Sequence, residues 1–76
     1  MTIQDAIKLA IDGGFVHGGV NDKRSDNERI KAFVLLPQFW SSLGKALNRD
    51  WKILSWRFWA HITEGKTAEE FFNQLK

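Results

Sequence analysis

Residues 60–67, AHITEGKT, come nearest to a ligand-binding spelling in this chain. They fit a relaxed phosphate-loop pattern, with Ala60 in place of the first glycine. A working phosphate loop follows a strand, and the N–H groups of its glycine-rich turn wrap the phosphates. Here Ala60 to Glu64 continue a helical pattern, so their N–H groups are spent on carbonyls four residues back. Gly65 reads as a helix stop and Thr67 as the cap of the next helix. A chain of 76 residues is also too short for the parallel sheet that such a loop serves.

His17 and His61 are the only imidazoles. A zinc site takes three or four ligands, and no cysteine is present to complete one. His61 follows Arg57 by four residues and precedes Glu64 by three. That spacing predicts a His61–Glu64 surface contact worth roughly 0.2–0.5 kcal/mol. Ser41, Ser42 and Ser55 supply hydroxyls, but nothing places an orienting acid or an oxyanion hole beside them. The expectation is no enzymatic activity, no cofactor and no metal.

The strongest binding signal is basic and aromatic residues interleaved. Lys45, Arg49, Lys52 and Arg57 fall within thirteen positions, among Trp51, Trp56 and Trp59, and only Asp50 opposes them. Bases stack on aromatic faces while Lys and Arg hold phosphates, and residues 38–48 and 51–63 can be read as a helix-turn-helix. Against that, a recognition helix presents Asn, Gln, Arg or Ser to base edges, whereas this one offers Lys52, Trp56, Arg57 and Trp59. Trp and Arg are also the residues enriched at protein-interface hot spots. The structural alternative puts most tryptophans in the core and the cations on a solvated face. The partner-binding candidates are Lys45, Arg49, Lys52, Trp56, Arg57 and Trp59.

Composition narrows the choice. A formal charge of +2 implies no strong nucleic-acid or membrane field. One small domain over residues 1–76 is all the length allows. Such a domain buries only about 60% of its unfolded surface. Four Trp and six Phe offset this, because each large aromatic buries on the order of 150–250 Å². No disulfide is available. No apolar run approaches the roughly 18 residues that span a bilayer, and Gln4 and Asp5 break any signal-peptide pattern at the N-terminus. A cytoplasmic protein without a membrane partner is expected.

These residues need elements to position them. The stretch WKILSWRFWAHIT, residues 51–63, reads as the helix around which the chain is organised. At about 100° per residue, Trp51, Leu54, Phe58 and Ile62 share an inward face. Ile53, Trp56 and Ala60 lie opposite, with Trp59 beyond the edge of the inward face. Asp50 is a good N-cap for it. Residues 2–12 read as a helix capped by Thr2 with Asp5 and stopped by Gly13-Gly14. Residues 15–20, FVHGGV, suggest a short strand, and 21–28 a loop. Residues 30–36 are apolar apart from Lys31 and rich in strand formers, which predicts a strand paired back onto 15–20. Pro37 suits a helix first turn, and Leu36, Phe39, Trp40, Leu43 and Leu47 form a buried stripe. Gly44 inside that helix calls for a close neighbour. Thr67 and Glu70 make a capping box before a last helix with the stripe Ala68, Phe71, Phe72 and Leu75.

Three runs carry a resemblance: IQDAIKLAIDGG (3–14), LLPQFWSSLGKAL (35–47) and FWAHITEGKTAEEFFNQL (58–75). They are similar to a group of small proteins encoded in bacteriophages and prophages, which repeat this order of motifs. The FW–LGKAL run is the most specific part. In that group Asp often precedes the proline; here that position is Leu36. The resemblance implies a phage-type origin and no activity.

The combined expectation is an α+β domain: an N-terminal helix, a two-stranded antiparallel hairpin, and three C-terminal helices around one aromatic core. Its expected role is a non-enzymatic accessory or interaction module acting on a host or phage protein in the bacterial cytoplasm. Nucleic-acid binding through the basic and Trp-rich surface of residues 45–59 is the alternative.

Overall fold

The first helix is set by its cap. The Thr2 hydroxyl accepts the Asp5 N–H at 3.0 Å, and the Asp5 carboxylate accepts the Thr2 N–H at 3.1 Å. Two N–H groups that lack partners in the first turn are thereby satisfied. The structure, a computed structural model, describes residues 1–16 and 24–75. These residues form five helices: α1 (Ile3–Asp12), α2 (Asp26–Phe33), α3 (Pro37–Leu47), α4 (Trp51–Thr63) and α5 (Ala68–Gln74). α1 packs against α2, α3 and α5, and α4 packs against α3 and α5.

The expected hairpin and the α+β class are overturned, since the described residues are helical and contain no strand. Residues 30–33, the start of the expected second strand, complete α2, and Val34 caps its C-terminus. Of the first strand, Phe15 and Val16 follow α1 without regular structure, and 17–20 lie outside the described residues. The physical reason is a helix start within the segment read as loop. The Ser25 hydroxyl accepts the Glu28 N–H at 3.4 Å. Asp26 and Glu28 sit in the first turn and Lys31 in the last, matching the helix dipole at both ends. Ile30, Phe33 and Val34 are buried at i, i+3 and i+4, while Lys31 and Leu35 point outward.

Three helices end the same way. After α1, Phe15 N–H donates to the Ala10 carbonyl at 2.9 Å and Gly14 N–H to the Ile11 carbonyl at 3.0 Å. The pairs Arg49–Gly44 and Asn48–Lys45 repeat this after α3, and Lys66–His61 and Gly65–Ile62 after α4. Each is a Schellman closure that needs one residue at positive φ. Gly14 (105°), Asn48 (55°) and Gly65 (84°) supply it. α3 starts differently: Leu36 provides no side-chain cap, and Pro37 opens the first turn.

The core centres on Trp40 and not on α4. Trp40 is 2% exposed, and its indole Nε1–H donates to the Val34 carbonyl at 2.9 Å. Four phenylalanine rings surround it: Phe58 at 5.2 Å, Phe39 at 5.3 Å, Phe72 at 6.2 Å and Phe71 at 6.3 Å between centroids. Phe15 extends the cluster edge-on to Phe33 and Phe39. α4 is a wall of this core, with Leu54 and Phe58 fully buried and Trp51 and Ile62 half-buried. The inward face expected of it is therefore the observed one.

Candidate functional site

Residues 60–67 divide between two helix ends. Glu64 N–H donates to the Ala60 carbonyl at 3.1 Å, Gly65 N–H to Ile62 at 2.9 Å and Lys66 N–H to His61 at 3.3 Å. The donors that a phosphate loop would present are thus committed to closing α4. The Thr67 hydroxyl accepts the Glu70 N–H at 3.2 Å and starts α5. The stretch stops one helix and begins the next.

His61 does not pair with Glu64. Its Nε2 lies 2.9 Å from the Thr67 carbonyl, which can only accept, so Nε2 carries the proton. The ring also rests 5.8 Å from Phe71. His61 therefore ties the end of α4 to the start of α5. Glu64 instead takes the Lys66 ammonium at 3.4 Å. His17 lies outside the described residues. Ser41 and Ser42 line a cleft with Phe15, Pro37 and Trp51, away from the one that His61 lines. Among the described residues no group of three or more His, Cys, Asp or Glu could hold a metal ion.

The six partner-binding candidates do not all line one cleft. α4 separates two clefts. The first, of about 340 Å³, lies between α4 and the C-terminal half of α5, and Arg49, Trp56 and Arg57 line it. Leu54, Phe71 and Leu75 contribute apolar wall, and His61 and Glu64 stand toward the far end of α4. The second, of about 410 Å³, is lined mainly by apolar side chains of α2, α4 and α5: Ile30, Val34, Trp59, Ile62 and Ala68, with Lys31 beside them. Trp59 belongs there, its ring edge-on to Phe58 at 5.1 Å. Lys45 and Lys52 line neither cleft. Lys45 is exposed in the last turn of α3, and Lys52 is exposed in the first turn of α4, where its N–H donates to Asp50 at 2.9 Å.

The turn between α3 and α4 places Arg49. Asn48 in the left-handed conformation reverses the chain, and Asp50 immediately caps α4. Arg49 is held between the two constraints. On α4, Arg57, His61 and Glu64 recur at i, i+4 and i+7, so one helical stripe carries all three along the cleft. That spacing is visible in the sequence. The opposite wall comes from α5 folding back along α4, which no local pattern reveals.

Exposure separates the tryptophans. Trp56 is 72% exposed, Trp59 38% and Trp40 2%. Ile53, one turn before Trp56, is 55% exposed. No protein-family model, curated protein or solved structure matches the chain.

Proposed function

We propose that this chain is a non-enzymatic interaction module of phage type that binds a protein partner in the bacterial cytoplasm through the outward face of α4. The observation that carries the reading is Trp56. Burying a large apolar side chain stabilises a fold by roughly 1.5–3 kcal/mol, yet this indole is 72% exposed on a well-capped helix whose inward face is already filled. Trp and Arg anchor protein interfaces more than other residues do, and Trp56 shares its cleft with Arg49 and Arg57. Among the described residues no helix is long and apolar enough to cross a membrane.

The nucleic-acid reading keeps one supporting observation, the joint placement of Arg49, Trp56 and Arg57. It is weaker because Glu64 shares their cleft, and because Lys45 and Lys52 lie outside it. A phosphate track needs several cations in series.

Affinity capture from a bacterial lysate separates the two. Wild-type protein and Trp56→Ala serve as baits, each with and without nuclease. A specific protein retained by wild type, insensitive to nuclease and lost with Trp56→Ala is the expected result. Capture that nuclease abolishes, or that Trp56→Ala leaves intact, contradicts the reading.

A further inference from the structure

We propose that the cleft between α2 and α4 binds a slender monocarboxylate amphiphile of the fatty-acid class, its tail in the apolar trough and its carboxylate on Lys31. Trp56 lines the other cleft, so this site stands independently of the reading above.

The trough follows from how the helices pack. α2 rests on α1, and α4 rests on α3 and α5, but α2 and α4 are not packed closely on each other. Ile30 and Phe58, 1% and 2% exposed, form the floor between them. Trp59, Ile62 and Ala68 form the sides and are only partly buried. The volume of about 410 Å³ falls within the roughly 300–1,000 Å³ of small-ligand sites, which are likewise mostly apolar with a few polar groups to orient the ligand. An apolar chain laid in the trough takes its own surface and that of the walls out of water.

Charge complementarity selects the head group. Lys31 is exposed at the edge of the trough. Among the described residues it is the one charged side chain lining this cleft, and it forms no ion pair. Its ammonium is a compact charge on a flexible stem, which suits a single anionic head. The carboxylate can meet it at the edge without being buried. A trough without that cation would favour an uncharged tail, because desolvating a charge is costly. Preference for an acid over the matching alcohol therefore reports Lys31 itself.

The length of α2 favours a small amphiphile over a docked helix. α2 has eight residues, about two turns of wall. A helix in a groove is held by a row of anchors at i, i+3, i+4 and i+7, which needs a longer trough.

The test is isothermal titration calorimetry of the protein with decanoate, below micelle-forming concentrations. Decanol and decyltrimethylammonium are the comparison probes. Wild-type protein should take up one decanoate per chain, about threefold or more tighter than decanol, the scale of one exposed ion pair. Lys31→Glu should lose about tenfold for decanoate and gain affinity for decyltrimethylammonium. An unfolded variant cannot produce that exchange. Ala68→Phe, which fills the trough, should weaken decanoate and decanol alike by about tenfold, with circular dichroism reporting that it remains helical. Trp56→Ala should bind decanoate as wild type does. Equal or tighter binding of decanol, indifference to Lys31→Glu or Ala68→Phe, loss with Trp56→Ala, several molecules per chain, or no uptake overturns the proposal. No uptake together with a sedimentation mass that doubles with concentration would assign the trough to a second copy of this chain instead. None of these outcomes bears on the Trp56 reading, which stands or falls on capture from lysate.

Discussion

Gly44 and Trp51 meet so closely that a methyl group added at Gly44 would stand 2.9 Å from the Trp51 Cβ and 2.8 Å from the Arg49 carbonyl oxygen. The glycine is therefore what lets α4 begin against α3, and it indirectly sets where Arg49 lies. Two effects oppose each other in Gly44→Ala. Alanine gains about 1 kcal/mol of helix propensity. Overpacking against backbone costs about 1–3 kcal/mol, and here the obstructing atoms belong to a tight turn that cannot rotate away. The substitution should destabilise by up to about 2 kcal/mol in urea unfolding. A stabilised variant would show that the α3–α4 approach is looser than described.

Trp40 should be the most sensitive aromatic. Trp40→Phe removes the donor to the buried Val34 carbonyl and leaves a void among four rings. An unsatisfied buried acceptor costs about 1–3 kcal/mol, and the void adds to it. A loss of about 2–4 kcal/mol is expected by chemical denaturation. Trp56→Ala, at an exposed site, should stay within about 0.5 kcal/mol of wild type. Comparable losses in the two variants would remove Trp40 from the centre of the core.

Ser25→Ala distinguishes the helical α2 from the hairpin that residues 30–36 suggest on first reading. Removing an N-cap costs about 0.5–2 kcal/mol, and the 3.4 Å Ser25–Glu28 bond points to the lower half of that range. Thermal unfolding followed by circular dichroism should show the loss. In a hairpin Ser25 would lie in a connecting loop and its truncation would be neutral.

Asp5 gives the molecule a pH dependence of known sign. The hydrogen bonds from Thr2 hold its carboxyl below the ordinary aspartate value of about 3.9. The folded state therefore binds fewer protons at this site than the unfolded chain does. Its contribution is fully present above about pH 4 and is lost as pH falls through the folded value. Wild type should lose more stability than Asp5→Asn when acidified through this window, read as the difference between their melting temperatures. Parallel curves would mean that the capping box contributes nothing through its charge.

Most of the fold was legible because caps and periodicity agree at the same places. Thr2, Pro37, Asp50 and Thr67 each precede an apolar stripe, and Gly13-Gly14, Asn48 and Gly65 follow one. The α2 region failed because residues 30–36 are apolar at nearly every position, where periodicity cannot separate strand from buried helix. The decisive cue was Ser25 followed three residues later by Glu28, a capping-box spelling hidden in a stretch without apolar residues. At the candidate site, the outward placement of Trp56 followed from its position opposite Leu54 and Phe58. The division of Trp59 from Arg49, Trp56 and Arg57 did not. It depends on α2 covering one flank of α4 and α5 the other, and tertiary packing decides that.

The exposure of Trp56 can be measured directly, because an indole in water emits at longer wavelength and meets a dissolved quencher more often than one in a core. Of the four tryptophans, Trp40 is buried, Trp51 half-buried, Trp59 38% exposed and Trp56 72% exposed. Trp56 should therefore dominate the long-wavelength part of the emission. Trp56→Phe should shift the mean emission to shorter wavelength and lower the acrylamide quenching constant, while Trp40→Phe should move both the other way. If Trp56→Phe leaves the spectrum and the quenching unchanged, that indole is covered in solution, either by its own chain or by a second copy. Sedimentation at two concentrations would separate those cases: a mass that rises with concentration puts the covering surface on another molecule.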